Sequence, residues 1–96
     1  MLDFYLICDH EPRRSQPPVK SKYAGGIADG EFSDAQKYGI IEHRHDYYGD
    51  FRWSSQQAKV KLELLKNTSN MTLLFSLTGI LQKAVEANSG LIAFGD

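Results

Sequence analysis

Leu2-Asp3-Phe4-Tyr5-Leu6-Ile7-Cys8 opens the chain, and its reading decides the fold. Leu2, Phe4, Leu6 and Cys8 share one face of an extended segment, and Tyr5 and Ile7 make the other face apolar too. A strand that is apolar on both faces belongs inside a sheet or under cover on both sides. Cys8, on the Leu2-Phe4-Leu6 face, is expected in the core, as free cysteines usually are. Leu91-Ile92-Ala93-Phe94 has the same double-sided character at the other end of the chain. The two strands are expected to pair, bringing the ends together. Asp9 to Ser21, with Pro12, Pro17 and Pro18, reads as a connector, and Gly25-Gly26 as a turn.

Between the strands the pattern is helical. Glu31 to Tyr38 reads as a short helix that starts with acids and is closed by Gly39. A second helix begins at Ser54, whose N-cap position and Gln57 three residues on make a capping box, with Trp53 and Ala58 placed as a hydrophobic staple. Its body, Ser55 to Lys66, puts Ala58, Leu62 and Leu65 on one stripe and Lys59, Lys61, Glu63 and Lys66 elsewhere. The third, Met71 to Asn88, carries a broad apolar face of Leu73, Leu74, Leu77, Ile80, Leu81, Ala84 and Val85. The expected fold is a single α+β domain over residues 1–96: N- and C-terminal strands in one small sheet packed against two or three helices. A sheet of two strands leaves open edges. Self-association or partner binding through an edge or an uncovered face is therefore expected. The alternative is that Val19 to Ala24 or Ile40-Ile41 forms a further strand.

Composition narrows the function. The 96 residues carry net charge −1, with ordinary hydrophobic (42%) and charged (24%) fractions, so nothing in the whole-chain charge favours nucleic acid or anionic membrane. One cysteine excludes an internal disulfide framework and a cysteine-based zinc site. The apolar-rich run Met71 to Leu81 is too short to span a bilayer, which takes about 20 apolar residues. Met1-Leu2-Asp3-Phe4 lacks the basic start of a signal peptide. A cytoplasmic location is expected.

The local charge is uneven. Asp29, Glu31, Asp34, Glu42, Asp46 and Asp50 stand against Lys37 and Arg44, so residues 29–50 are net −4. This acidic stretch runs into His43-Arg44-His45-Asp46-Tyr47-Tyr48-Gly49-Asp50-Phe51-Arg52-Trp53. A plain connector would be built from Gly, Ser or Pro, whereas this one holds Tyr, Trp and Arg, the side chains that most often dominate interface energy. Glu42, Asp46, Tyr47, Tyr48, Asp50, Arg52 and Trp53 are the expected partner-binding residues, facing a protein with a basic surface. Phe51 has a competing reading as a core plug, and Trp53 as the staple of the second helix. The basic residues Arg13, Arg14, Lys20 and Lys22 read as a solvated loop. Nucleic acid is not expected, because the aromatics sit among acids that repel phosphate.

Two chemical readings compete with binding. His43 and His45 share parity in an extended segment, and Asp46 or His10 would complete a metal site. That would make the chain a metal-dependent hydrolase or metal-binding regulator. The spacing departs from the His-x-His-x-Asp-His pattern, because Tyr47 stands where that pattern has its aspartate. Cys8 and His10 as a nucleophile pair fail on the expected burial of Cys8. No catalytic set is completed, and no cofactor is expected.

Phe51-Arg52-Trp53-Ser54, Asp46-Tyr47-Tyr48 and the closing Gly90-Leu91-Ile92-Ala93-Phe94-Gly95-Asp96 resemble small bacterial proteins, some of which act as cytoplasmic immunity partners of secreted toxins. The resemblance covers the second half of the chain and transfers no functional residue. It implies a small, non-secreted, cofactor-free domain: an immunity-type inhibitor that occludes a partner toxin or enzyme.

Overall fold

The terminal strands do pair, at the centre of a larger sheet. In the computed structural model, which describes residues 1–12, 16–68 and 72–95, strand β1 (Leu2–Ile7) runs antiparallel to β4 (Gly90–Gly95) from Leu2↔Gly95 to Ile7↔Gly90. Two edge strands flank them. β2 (Tyr23–Ile27) joins β1, and β3 (Asp50–Trp53) joins β4, giving a four-stranded antiparallel sheet in the order β2-β1-β4-β3. The helices are α1 (Asp29–Lys37), α2 (Ser55–Thr68) and α3 (Phe75–Glu86), and a 3-10 turn, Lys20–Lys22, leads into β2. The fold is α+β.

The differences from expectation have local causes. β2, which takes up the last two residues of Val19 to Ala24, pairs the outer edge of β1, and β3 pairs that of β4, so the sheet's edges lie at β2 and β3. Ile40 and Ile41 are buried but form no strand. Gly25-Gly26 is strand rather than turn: a Cβ at Gly25 would stand 2.9 Å from Cγ1 of Ile80, so the glycine lets α3 lie close against β2. Cys8 is exposed, not core, because β1 ends at Ile7. Leu73 is half exposed, ahead of the first turn of α3, which narrows the apolar face to Leu74, Leu77, Ile80, Leu81 and Ala84, with Val85 partly buried against the core. Met71, Arg13 and Arg14 lie outside the described residues.

One face of the sheet carries the main core. Leu2, Phe4, Phe51, Trp53, Leu91 and Ala93 pack beneath Leu62 and Leu65 of α2 and the buried stripe of α3. The other face holds Ile7, Ile92 and Phe94, with Tyr5 against them. Glu31 of α1 accepts the backbone N–H of Leu77 at 2.8 Å, tying α1 to an orphan donor at the start of α3. No helix among the described residues is long and apolar enough to cross a membrane.

Candidate functional site

The aromatic segment divides into an inward half and an outward half. β3 alternates as a strand must: Phe51 and Trp53 point into the core, while Asp50 and Arg52 lie on the other side. Trp53 is 1% exposed and is a core residue, so it cannot serve as the surface anchor the sequence reading gave it. Its indole N–H needs a partner at depth, and donates to Oε1 of Glu42 at 3.2 Å. The other carboxylate oxygen of Glu42 accepts Nζ of Lys61 at 3.1 Å. The same ammonium donates to the carbonyl of Ile40 at 2.7 Å and lies 4.5 Å from the Trp53 ring centroid. Lys61 is 7% exposed. A buried ammonium persists only where it is paired and hydrogen-bonded, and here it has a carboxylate, a carbonyl and an aromatic face.

His45 closes the cluster. Its ring stacks on Phe51 with centroids 4.2 Å apart and planes 10° apart, and its Nε2 is 3.4 Å from Glu42 Oε1. Burial depresses the His45 pKa; Glu42 opposes this, and Arg44 and Lys61 add to it, so the net direction is down. At neutral pH the ring is therefore neutral, and its contact with Glu42 is not an ion pair despite the distance. For Glu42, burial pushes upward but is outweighed by its own backbone N–H and by Lys61 and Trp53, leaving the carboxyl below its ordinary range.

Arg52 is also structural. Its guanidinium crosses the sheet and donates to the carbonyls of Cys8, Glu11 and Asp9, at 2.7, 2.8 and 3.3 Å. It clasps the start of the connector after β1. Of the seven expected partner-binding residues, Glu42 and Trp53 thus have their polar groups committed to the core cluster, and Arg52 is committed to the connector after β1.

Asp46, Tyr47, Tyr48 and Asp50 form the outward half. Asp46 Oδ1 accepts the Tyr48 N–H at 3.1 Å, and the Asp46 carbonyl accepts Gly49 N–H at 3.0 Å, a compact Asx-type turn. Tyr47 is half-buried, its ring edge-on to Phe32 at 5.5 Å. Tyr48 is 68% exposed, with exposed Asp46 and Asp50 two residues to either side. The turn is held from both sides. Gln36 Nε2 donates to the carbonyls of Glu42 and His45 at 3.0 and 2.9 Å. Gly95 N–H donates to the Gly49 carbonyl at 3.1 Å, and its α-carbon lies so close to Tyr48 that a Cβ there would stand 2.7 Å from Tyr48 Cα.

Lys61, Gln36 and Asp9 were missed from sequence. Lys61 had a signal: Ala58, Lys61, Leu62 and Leu65 follow the three-and-four spacing of the buried stripe. Gln36 and Asp9 act over distances no local pattern reveals. Asp9 accepts both the N–H and the hydroxyl of Ser55, and those bonds lower its pKa.

Among the described residues, no group of three or more His, Cys, Asp and Glu is placed to hold a metal ion, and His45 is committed to Phe51 and Glu42. Comparison with family models, curated proteins and solved structures finds no match. No family is assigned on similarity, and the function rests on the residues themselves.

Proposed function

We propose that the chain is a small cytoplasmic protein-binding domain, an immunity-type inhibitor that lies over the basic site of a partner toxin or enzyme. Asp46, Tyr48 and Asp50 make the centre of the contact, with the edge of Tyr47 beside them. The observation that carries this reading is Tyr48, 68% exposed on a turn fixed by hydrogen bonds to its own Asp46 and to Gly95. An aromatic ring held out on a fixed turn offers a partner a large contact at little ordering cost. Carboxylates on both sides speed encounter with a cationic surface and select against acidic ones. Glu42, Lys61, Trp53 and His45 act beneath, as the support that keeps the turn in place.

The test is capture by the immobilised protein from lysate of the source cells, run beside Tyr48→Ala combined with Asp46→Lys. Asp46→Lys also removes the acceptor of the Tyr48 N–H, so Tyr48→Ala combined with Asp50→Lys, both exposed and with that bond kept, is run as a second variant. It should melt with the wild type and lose the partner equally. The expected result is a partner held by the wild type and weakened at least tenfold, about 1.4 kcal/mol, in the variant. Its binding should also fall with added salt. A variant that holds every captured protein as tightly as the wild type overturns the proposal. A toxin gene adjacent to this one would identify the partner class directly.

A further inference from the structure

At the opposite edge of the sheet from β3, strand β2 and helix α3 enclose a groove of about 510 Å³. Its helical wall presents Phe75, Ser76, Gly79, Gln82 and Lys83 at three-and-four spacing, with Thr78 and Ile80 deeper, and Thr72 lies just ahead of the helix. Phe75 is 79% exposed, the most exposed large apolar side chain among the described residues. Gly79 sits one turn further on. Glycine is a poor helix former, and a Cβ at Gly79 would meet nothing within 4 Å, so no contact among the described residues requires it. Lys83 lies one turn beyond Gly79 and donates to the Ala24 carbonyl at 2.9 Å. The groove also contains a polar group that the described residues leave unsatisfied, the buried Oγ1 of Thr78.

The stripe is complementary to itself. Phe75 and Lys83 are each four residues, roughly 6 Å along the axis, from Gly79. Ser76 and Gln82 are each three away. Two such helices crossing antiparallel at Gly79 set Phe75 of each against Lys83 of the other, and Ser76 against Gln82. The glycines allow close approach at the centre. A protruding ring and a gap one turn apart on one surface are what a two-fold, isologous contact needs. Lys83 would meet the incoming ring as a cation over an aromatic face. Addition of a strand to β2 fits less well. The pairing of β1 with β2 is interrupted between Phe4 and Tyr5, where Ala24 is the extra residue, and its carbonyl is already taken by Lys83. A bulge and a lysine are devices that blunt a sheet edge.

We propose that a second copy of this chain occupies the groove, forming a weak antiparallel α3–α3 dimer centred on Gly79 with Phe75 of each copy seated against Lys83 of the other. This surface is separate from the Tyr48 turn, so the dimer stands or falls independently of the function proposed above.

Sedimentation from micromolar to millimolar concentration tests it. The wild type should show a concentration-dependent monomer–dimer equilibrium. Phe75→Lys, which brings two cations together in this register, should weaken association at least tenfold. Gly79→Leu, which fills the crossing point but has open space in the monomer, should do the same without lowering the melting temperature. Adding Lys83→Glu to Phe75→Lys should restore association, because the swapped charges meet only across the antiparallel pair. A wild type that stays monomeric at millimolar concentration overturns the proposal. So does a dimer that survives both single variants, or a charge-swapped double variant no tighter than Phe75→Lys alone although its melting temperature shows that loss of the Lys83 bond to the Ala24 carbonyl has left the monomer folded.

Discussion

Glu42 Oε1 accepts the indole N–H of Trp53 at 3.2 Å, which places a carboxylate at the edge of the only tryptophan of the chain. The opposite oxygen binds Lys61, so a single side chain satisfies two groups that burial would otherwise penalise. Lys61→Met keeps the stem and removes the charge. It leaves the Ile40 carbonyl without its donor and Glu42 without its cation, and should cost about 1–3 kcal/mol in urea unfolding. Adding Glu42→Gln should cost less than the sum of the two single changes, because the second removes a charge the first has stranded. Additive losses would show that the pair is not coupled.

Acid should loosen the same cluster in two stages. His45 has a depressed pKa in the fold, so the unfolded chain binds the proton more readily. Its contribution is complete above the ordinary value of 6.5 and is lost as pH falls through the folded value. Glu42 is likewise depressed, and its contribution is complete above 4.5 and lost at lower pH. Melting temperature should therefore begin to fall below about pH 6.5, with a further fall in the carboxylate range. His45→Gln should remove the first stage and leave the second. A first stage unchanged in that variant would assign it to another group.

What was legible in the sequence was what is local. The capping box at Ser54 and Gln57 forms as its spacing implies, and the two terminal strands pair because both are apolar on both faces. β3 was not legible: four residues alternating Asp-Phe-Arg-Trp are too short for the period to stand out from a binding loop. The same brevity made Trp53 look like an anchor. Its place in the core depends on Glu42 and Lys61, which meet it only through the tertiary fold. Arg52 is similar, since its acceptors lie more than forty positions back at Cys8, Asp9 and Glu11. The outward residues Asp46, Tyr48 and Asp50 were readable because exposure follows from their own polarity and turn chemistry.

The start of α2 offers a check on that local reading. Ser54 Oγ accepts the Gln57 N–H at 3.1 Å, and Gln57 Oε1 accepts the Ser54 N–H at 2.8 Å. Ser54→Ala breaks the first bond and should cost about 1 kcal/mol. Asp9 satisfies the next donor, Ser55 N–H, from a different element, so the helix should fray at Gln57 before Ser55. Amide exchange in Ser54→Ala should accelerate at Gln57 and remain slow at Ser55. Equal acceleration at both would mean that Asp9 does not hold the helix independently.

Gly95 should prove as important to the exposed turn as any residue within it. A Cβ there would stand 2.7 Å from both Cα and the carbonyl carbon of Tyr48 and would press on the carbonyl oxygen of Tyr47. These are backbone atoms, so no change of rotamer relieves the overlap. In Gly95→Ala the turn must move away from β4, straining the Gly95 N–H to Gly49 carbonyl bond and pulling Tyr47 off Phe32. The cost should be about 1–3 kcal/mol, in the range of overpacking at a close contact. The nuclear Overhauser contacts between the Phe32 and Tyr47 rings should weaken, while those between Phe4 and Trp53, deeper in the core, remain. If binding resides in the turn, this variant should also lose partner capture although Asp46, Tyr48 and Asp50 are unchanged. Full capture with displaced Tyr47 contacts would show that the partner does not read the fixed geometry of the turn.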